Sequence, residues 1–599
     1  LESTRGRGLA RPTAPVTDGE FRQVLCGALA PGDAAALEGS SGRAPRCFSN
    51  ESDEGTAMDF HFATAFELIA DAVPDEPALI CGNSIRSWGE FDDRSARIAK
   101  VLGEYGLGHD SKVGIYLHNS NEYSEAHHGI FKIGGCPINT NYRYKSEELI
   151  YLLENADAEA VVFQSTYAMR IWEIREKLPR VKLWLQVDDG TESLLHGAVD
   201  FEGAIRSATP APRIDRSGTD VYMLYTGGTT GMPKGVMYYN GEFCKGLATG
   251  GLALHGITGL NDVRELPGHA QRLRAAGDLP RSLAACPQMH GTGLWLGTLL
   301  PMLCGGAVVT ISKLGLDPDH IFSDVETHKV TDIAIVGDAF AKPMLGALDE
   351  AKAKGRPYDL TSLKRIISSG VMWSSEVKKG LLAHHDMMLM DTMGSTEGGM
   401  ASNVSTRASA AQTAKFQLSE GVKVFTDDGR VVQPGSGETG KIGLSGQVPI
   451  GYYKDPKKSA ETFRVIDGVR YSFPGDYARV EADGTITLLG RGSMCINSGG
   501  EKVYPEEVEE VVKRHAAIYD CLVVGVPDER FGERIVAVAS LRDGHDTDPT
   551  ALIDYTREHL ATYKSPRHFI LVDQVRRAPN GKADYKWAKA TAIEQLKSA

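Results

Sequence analysis

Val221 to Val236 reads VYMLYTGGTTGMPKGV, an apolar strand running directly into a loop of Thr226, Gly227, Gly228, Thr229, Thr230, Gly231, Met232, Pro233 and Lys234. Small residues let such a backbone curl close to an anion, hydroxyls and amides donate to its oxygens, and Lys234 supplies the compensating charge. A phosphate cradle at the end of a buried strand is the expectation. It is not a Walker A loop, because no Gly-Lys-Ser/Thr follows at that motif's spacing.

Outward from this loop, helical periodicity alternates with short apolar runs. FELIADAV and ARIAKVLGEYG read as amphipathic helices, and KVGIYL, AVVF and LWLQV as buried strands. Such alternation predicts an α/β chain of parallel sheets covered by helices. Leu260 to Pro280, rich in Gly, Arg and Pro, reads as a loop. Gly293 to Ile311 is apolar and uncharged, but Pro301 and its glycines favour a buried helix, a turn and a strand over a membrane span. Beyond Glu438, short alternating strands between Gly and Asp-Gly turns predict a small β-barrel closing the large domain. After Arg491 a compact helix–strand–strand–helix–strand block follows, and GRGSMCINSGG reads as its hinge. The expected organisation is a leader or non-native extension at 1–57, a large N-terminal domain at 58–491 and a small mobile α+β domain at 492–599.

Composition narrows the classes. A chain of 599 residues exceeds what one core supports, and 42% apolar with 24% charged residues is ordinary for a globular protein. A formal charge of −13 argues against a nucleic-acid partner, whose phosphates require a basic footprint. The nine cysteines are scattered, with no zinc spacing, and read as reduced thiols in a cytoplasmic protein. Residues 1–57 lack periodicity and carry acids that a mitochondrial transit peptide would not.

Further motifs follow the glycine–threonine loop in a fixed order: PQMHGTG (Pro287 to Gly293), GSTEGG (Gly394 to Gly399), YSFPGDYARV around Asp476, Gly490-Arg491, GGEKVYPEEVEE, and Pro579-Asn580-Gly581-Lys582. In this order they resemble the adenylate-forming enzymes, which comprise acyl-CoA synthetases, luciferases and peptide-synthetase adenylation domains. The resemblance covers nearly all of the chain after Met58.

It implies ATP, Mg²⁺ and coenzyme A. Thr226 and the loop would hold phosphates, and Glu397, bracketed by Ser395, Thr396 and glycines, would be the hard oxygen ligand of Mg²⁺. Asp476 would accept from the ribose hydroxyls and Arg491 would touch the nucleotide. Ser369, Gly370 and Val371 would pack on adenine, beside Asp391, Thr392, Met393 and Gly394. Met393 stands where relatives carry tyrosine, and a thioether can still cover a π-face. His290 would gate the carboxylate pocket. Lys582 would steady the charge that develops as the adenylate forms, and the Gly499-Gly500 loop would later line a thiol tunnel. Taken alone, Asp476 is an ordinary turn residue and Lys582 an ordinary solvated lysine, so their roles are what the resemblance implies, whereas the turn around Glu397 suits a hard oxygen ligand by itself.

The implied reaction joins a small-molecule carboxylic acid to AMP and then to CoA. Leu294, Trp295, Val336 to Met344 and Val371-Met372-Trp373 are bulky and read as an acyl pocket or as plain core. The run from IVGDAF through SSGVMWS to the hinge looks most like actinobacterial synthetases for long-chain or steroid side-chain acids. A ligase that loads a carrier protein, and a non-catalytic nucleotide-binding homologue, stay open as alternatives.

Overall fold

The computed structural model describes residues 58–226, 232–311, 315–409, 413, 415–498, 501–528, 532–560, 562–578 and 581–598. The expected leader, Gly227 to Gly231 of the phosphate loop, and Gly499-Gly500 lie outside them. The large part of the chain is built on two parallel arrays. In one, Cys136–Asn139, Lys112–Tyr116, Ala158–Gln164, Leu183–Val187 and Val199–Asp200 lie side by side. In the other, Pro77–Cys81, Ala307–Thr310, Arg281–Ala284, Asp332–Ile335, Arg365–Ser369 and Met388–Ser395 pair in that spatial order, all parallel.

The second array does not stop at its last parallel strand. Gly398–Ser405 turns back antiparallel on Met388–Ser395 and hands the ladder to Lys415–Leu418, Ile486–Arg491 and Asp476–Val480, so the strands expected as a separate small barrel instead continue the long sheet. A separate three-stranded sheet of Val221–Thr226, Lys234–Tyr239 and Gly451–Tyr452 carries the phosphate loop. From Ile496 onward the strands form a sheet of their own, flanked by helices Pro505–Lys513, Pro549–His559 and Tyr585–Ser598. The last helix was not anticipated.

Leu260 to Pro280 is corrected: it contains an α-helix, Leu266–Ala276. Pro267 sits in the first turn, where its missing N–H costs nothing, and Gly277 closes the helix in the left-handed conformation. Leu266, Ala270 and Leu273 form its buried face. Gly293 to Ile311 divides as expected, into a π-helix over Thr292–Leu299, a short helix Leu300–Leu303 and the strand Ala307–Thr310. Among the described residues no helix is long and apolar enough to cross a membrane.

The largest core joins the first helix to the parallel arrays: the rings of Phe62 and Phe131 stack with centroids 5.1 Å apart. Three histidines are buried in this region. Burial, with nearby positive groups, pushes His61 and His127 down to about 3; burial lowers His128 to about 4 although Asp92 opposes it. An unfolded chain takes up these protons near pH 6.5, whereas the folded chain refuses them until about 4. Between those values the unfolded state binds more protons, so stability falls as pH falls. The urea midpoint should be flat above pH 6.5 and drop steadily below it; an unchanged midpoint at about pH 5 would refute this account.

Candidate active site

The parallel strands of the long sheet end on one side, where open α/β sheets bind their ligands. Arg281–Ala284 leads to Pro287 and His290, Asp332–Ile335 to Gly337, Arg365–Ser369 to Gly370 and Val371, and Met388–Ser395 to Thr396 and Glu397. Four motif segments far apart in sequence are thereby brought to one edge.

On the phosphate side, Thr226 and Lys234 face each other across the hairpin at the mouth of the loop. Lys234 Nζ lies 2.7 Å from Asp455 Oδ2 and 5.5 Å above the Tyr452 ring. The Tyr452 hydroxyl donates to Glu397 Oε1 at 2.7 Å, so one aromatic side chain touches both the loop's cation and the motif's carboxylate. The backbone N–H of Glu397 donates to Ser395 Oγ at 3.1 Å, and the Tyr238 hydroxyl donates to the Thr396 carbonyl at 2.9 Å. Glu397 is thus a nearly buried, oriented carboxylate. Among the described residues no cluster of three or more acidic, histidine or cysteine side chains could hold a metal unaided. A single carboxylate suits Mg²⁺ that takes its remaining ligands from phosphate and water.

On the nucleoside side, Gly370 adopts φ +93° after its strand, and Gly337 adopts φ +50°. A Cβ on Gly337 would sit 2.5 Å from the carbonyl oxygens of Val371 and Met372, so the two loops pass backbone to backbone. Thr392 Oγ1 donates to the Ser368 carbonyl, while the Ser368 hydroxyl accepts from the Gly337 N–H at 2.9 Å. The Asp391 carboxylate is taken up by Lys378 Nζ at 2.9 Å, both buried. Met393 is buried in an apolar cluster with Phe416 and Ile442. Asp476, nearly buried, opens its strand opposite Arg491 in the ladder, and the Gly492 N–H donates to the Gly475 carbonyl at 2.9 Å.

Lys582 belongs to a tight turn in which the Gly581 N–H donates to the Ala578 carbonyl and the Ala578 N–H to the Lys582 carbonyl, both at 2.8 Å. Gly581, at φ +70°, rests on the start of helix Gly337–Ala353: a Cβ there would come within 2.8 Å of Ala339 Cβ. Burial first, and then the Lys582 charge, push His290 down to about 3. A neutral imidazole and an ammonium therefore share one electrostatic neighbourhood at the end of the sheet.

Residues 66–453 match the family model described as AMP-binding enzyme, and residues 507–582 match that of the AMP-binding enzyme C-terminal domain. The chain belongs to this family. It is an adenylate-forming acyl-CoA synthetase of actinobacterial type. It is 39% identical over 546 residues to a 3-oxocholest-4-en-26-oate–CoA ligase of Rhodococcus rhodochrous, covering 89% of this chain and 96% of that one. It is also 39% identical to a medium/long-chain-fatty-acid–CoA/3-oxocholest-4-en-26-oate–CoA ligase of Mycolicibacterium smegmatis, covering 90% and 97%. Among solved structures, the anthranilate CoA ligase AuaEII in complex with anthranoyl-AMP superposes with a TM-score of 0.78 at 20% identity, over 92% of this chain and 100% of that one. ATP-bound MatB from Rhodopseudomonas palustris gives 0.71 at 23%, over 89% and 99%. At such identities the structures show the fold alone.

Within the synthetase, the residues read as acyl pocket or core separate. Phe340, Met344 and Trp373 are buried in one core cluster, so for them the plain-core reading holds. Trp295 is half-buried on the π-helix and donates through Nε1 to the Tyr222 hydroxyl at 2.7 Å. Leu296 and Leu300 continue that wide helix beside Leu254, Ile367 and Met390. Tyr452 escaped the sequence reading because only the folded chain brings it to Glu397.

Proposed function

We propose that this synthetase converts a long-chain fatty or steroid side-chain acid to its CoA thioester at the sheet edge described above. The 39% identity to ligases named for such acids, over nearly their whole length, carries the proposal.

The acid's carboxylate oxygen attacks the α-phosphorus of ATP, the bond to the bridging oxygen breaks, and pyrophosphate leaves. The thiol of CoA, giving up its proton, then attacks the acyl carbon and the bond to AMP breaks. Lys234 and the loop hold the phosphates. Glu397, oriented by Tyr452, would hold Mg²⁺, which would supply neutralisation of phosphate charge. Asp476 anchors the ribose, and Lys582 meets the charge that builds between carboxylate and phosphate. His290, kept neutral, places no second cation in the acid's path. The described cysteines are free thiols, in keeping with a cytoplasmic setting.

AMP and pyrophosphate release with ATP, Mg²⁺ and acetate, benzoate, octanoate, palmitate or a cholestenoic acid, each with and without CoA, tests this reading. CoA-dependent turnover is expected with palmitate or the steroid acid. Preference for acetate would overturn the substrate class, and pyrophosphate release indifferent to CoA would favour carrier loading.

A further inference from the structure

The turn that carries Lys582 is held from behind. Arg577 Nε and Nη2 donate to the two carboxylate oxygens of Asp520 at 2.6 and 2.8 Å, and Arg577 Nη1 donates to the Gly581 carbonyl at 3.2 Å. One guanidinium thus grips a carboxylate with two donors and, with a third, the peptide immediately before Lys582. Arg577 also bridges Ala583 through the backbone, across the base of the same turn. Burial alone would raise the Asp520 carboxyl, but Arg577 and Lys513 hold it down to about 2, so the pair stays charged wherever the enzyme works.

The same unit is moored to the large part of the chain. Lys342 Nζ donates to the carbonyl of Tyr519, the neighbour of Asp520, at 2.8 Å. Lys342 stands on helix Gly337–Ala353, whose first turn is the surface on which Gly581 rests. From Lys342 through Tyr519-Asp520 and Arg577 to Gly581, and back to that helix, the contacts close on themselves.

We propose that Arg577, clamped by Asp520, is a positioning residue that presents Lys582 to the acid and the α-phosphate. It touches neither substrate and acts only by fixing the turn. Lysine cannot replace it, because a single ammonium cannot grip both carboxylate oxygens and the carbonyl in this planar fork. The inference rests on the role given to Lys582 above.

The test measures two half-reactions: ATP–pyrophosphate exchange for adenylation, and thioester formation from supplied acyl-adenylate. Arg577→Met and Arg577→Lys are made in the native chain and in a Lys582→Ala background, with unfolding midpoints recorded for each. In the native chain, exchange should fall by about tenfold to a hundredfold for both variants, in line with the cost of a small misplacement. The apparent KM for ATP and the thioester step should stay close to native. In the Lys582→Ala background neither variant should add any loss. A further loss there, or equal damage to both half-reactions, would overturn the proposal. Should Arg577→Met not fold, Asp520→Asn loosens the clamp at constant shape and must show the same pattern. If Lys582→Ala alone leaves exchange intact, the role of Lys582 falls first and the positioning role falls with it.

Discussion

Replacing Lys582 by alanine is expected to slow acyl-adenylate formation by about 10²–10³-fold, the loss typical of one preorganised electrostatic group. Thioester formation from supplied acyl-adenylate should suffer far less, because the charge that Lys582 meets has already left with pyrophosphate. The structure motivates the size of the effect. Lys582 lies near enough to His290 for its charge to act, after burial, in holding that imidazole neutral. Single-turnover measurements of pyrophosphate release and of thioester appearance separate the steps. Equal slowing of both would mean that the lysine serves the fold or the thiol rather than the adenylate.

The second large effect falls on stability. Lys378 and Asp391 form a buried ion pair at 2.9 Å, directly upstream of the strand end that carries Ser395, Thr396 and Glu397. Burial raises the Asp391 carboxyl even with Lys378 beside it. Lys378→Met removes that cation and strands the carboxylate, a change that costs about 3–5 kcal/mol in buried pairs. The double variant Lys378→Met with Asp391→Leu should recover most of the loss, since well-packed apolar residues often replace such a pair without penalty. Urea unfolding of the three proteins measures both; a single-variant loss below about 1 kcal/mol would show that water or another group rescues the aspartate.

Much of this architecture was legible in the chain because its signals are local. An apolar run followed by Thr226 and Lys234 announces a strand and a loop, and the folded chain sets these two residues opposite each other across a hairpin. Where local signals conflict, the reading fails. Pro267 and Gly268 look like helix breakers, yet a proline in the first turn is harmless, and burial of Leu266, Ala270 and Leu273 decides for a helix. Nothing in TGLWLGTL distinguishes a π-helix from an α-helix, because the difference lies in how the packed neighbours open the turn. The candidate site divides along the same line. Motifs named Glu397 and Lys582, but the side chains that contact Glu397 and the Lys582 turn are single residues with no motif of their own. Tyr452 reaches Glu397, and Arg577 reaches Asp520, only after strands from distant parts of the chain are in register. Bulk alone could not separate a lining from a core: Trp373 is wholly buried, whereas Trp295 sits half-open on its helix.

The continuous ladder has a practical consequence. Because Gly398–Ser405 pairs with Met388–Ser395 on one side and Lys415–Leu418 on the other, a cut between Met388 and Leu418 would part neighbours within one continuous sheet. Past Arg491 the ladder ends, and from Ile496 onward the chain supplies two apolar clusters entirely of its own. The short stretch between those residues is therefore where the gene is best divided. Two separately expressed fragments, each keeping its own interior and fused to a pair of interacting proteins, would make thioester only when that pair meets, turning the ligase into a split reporter of association.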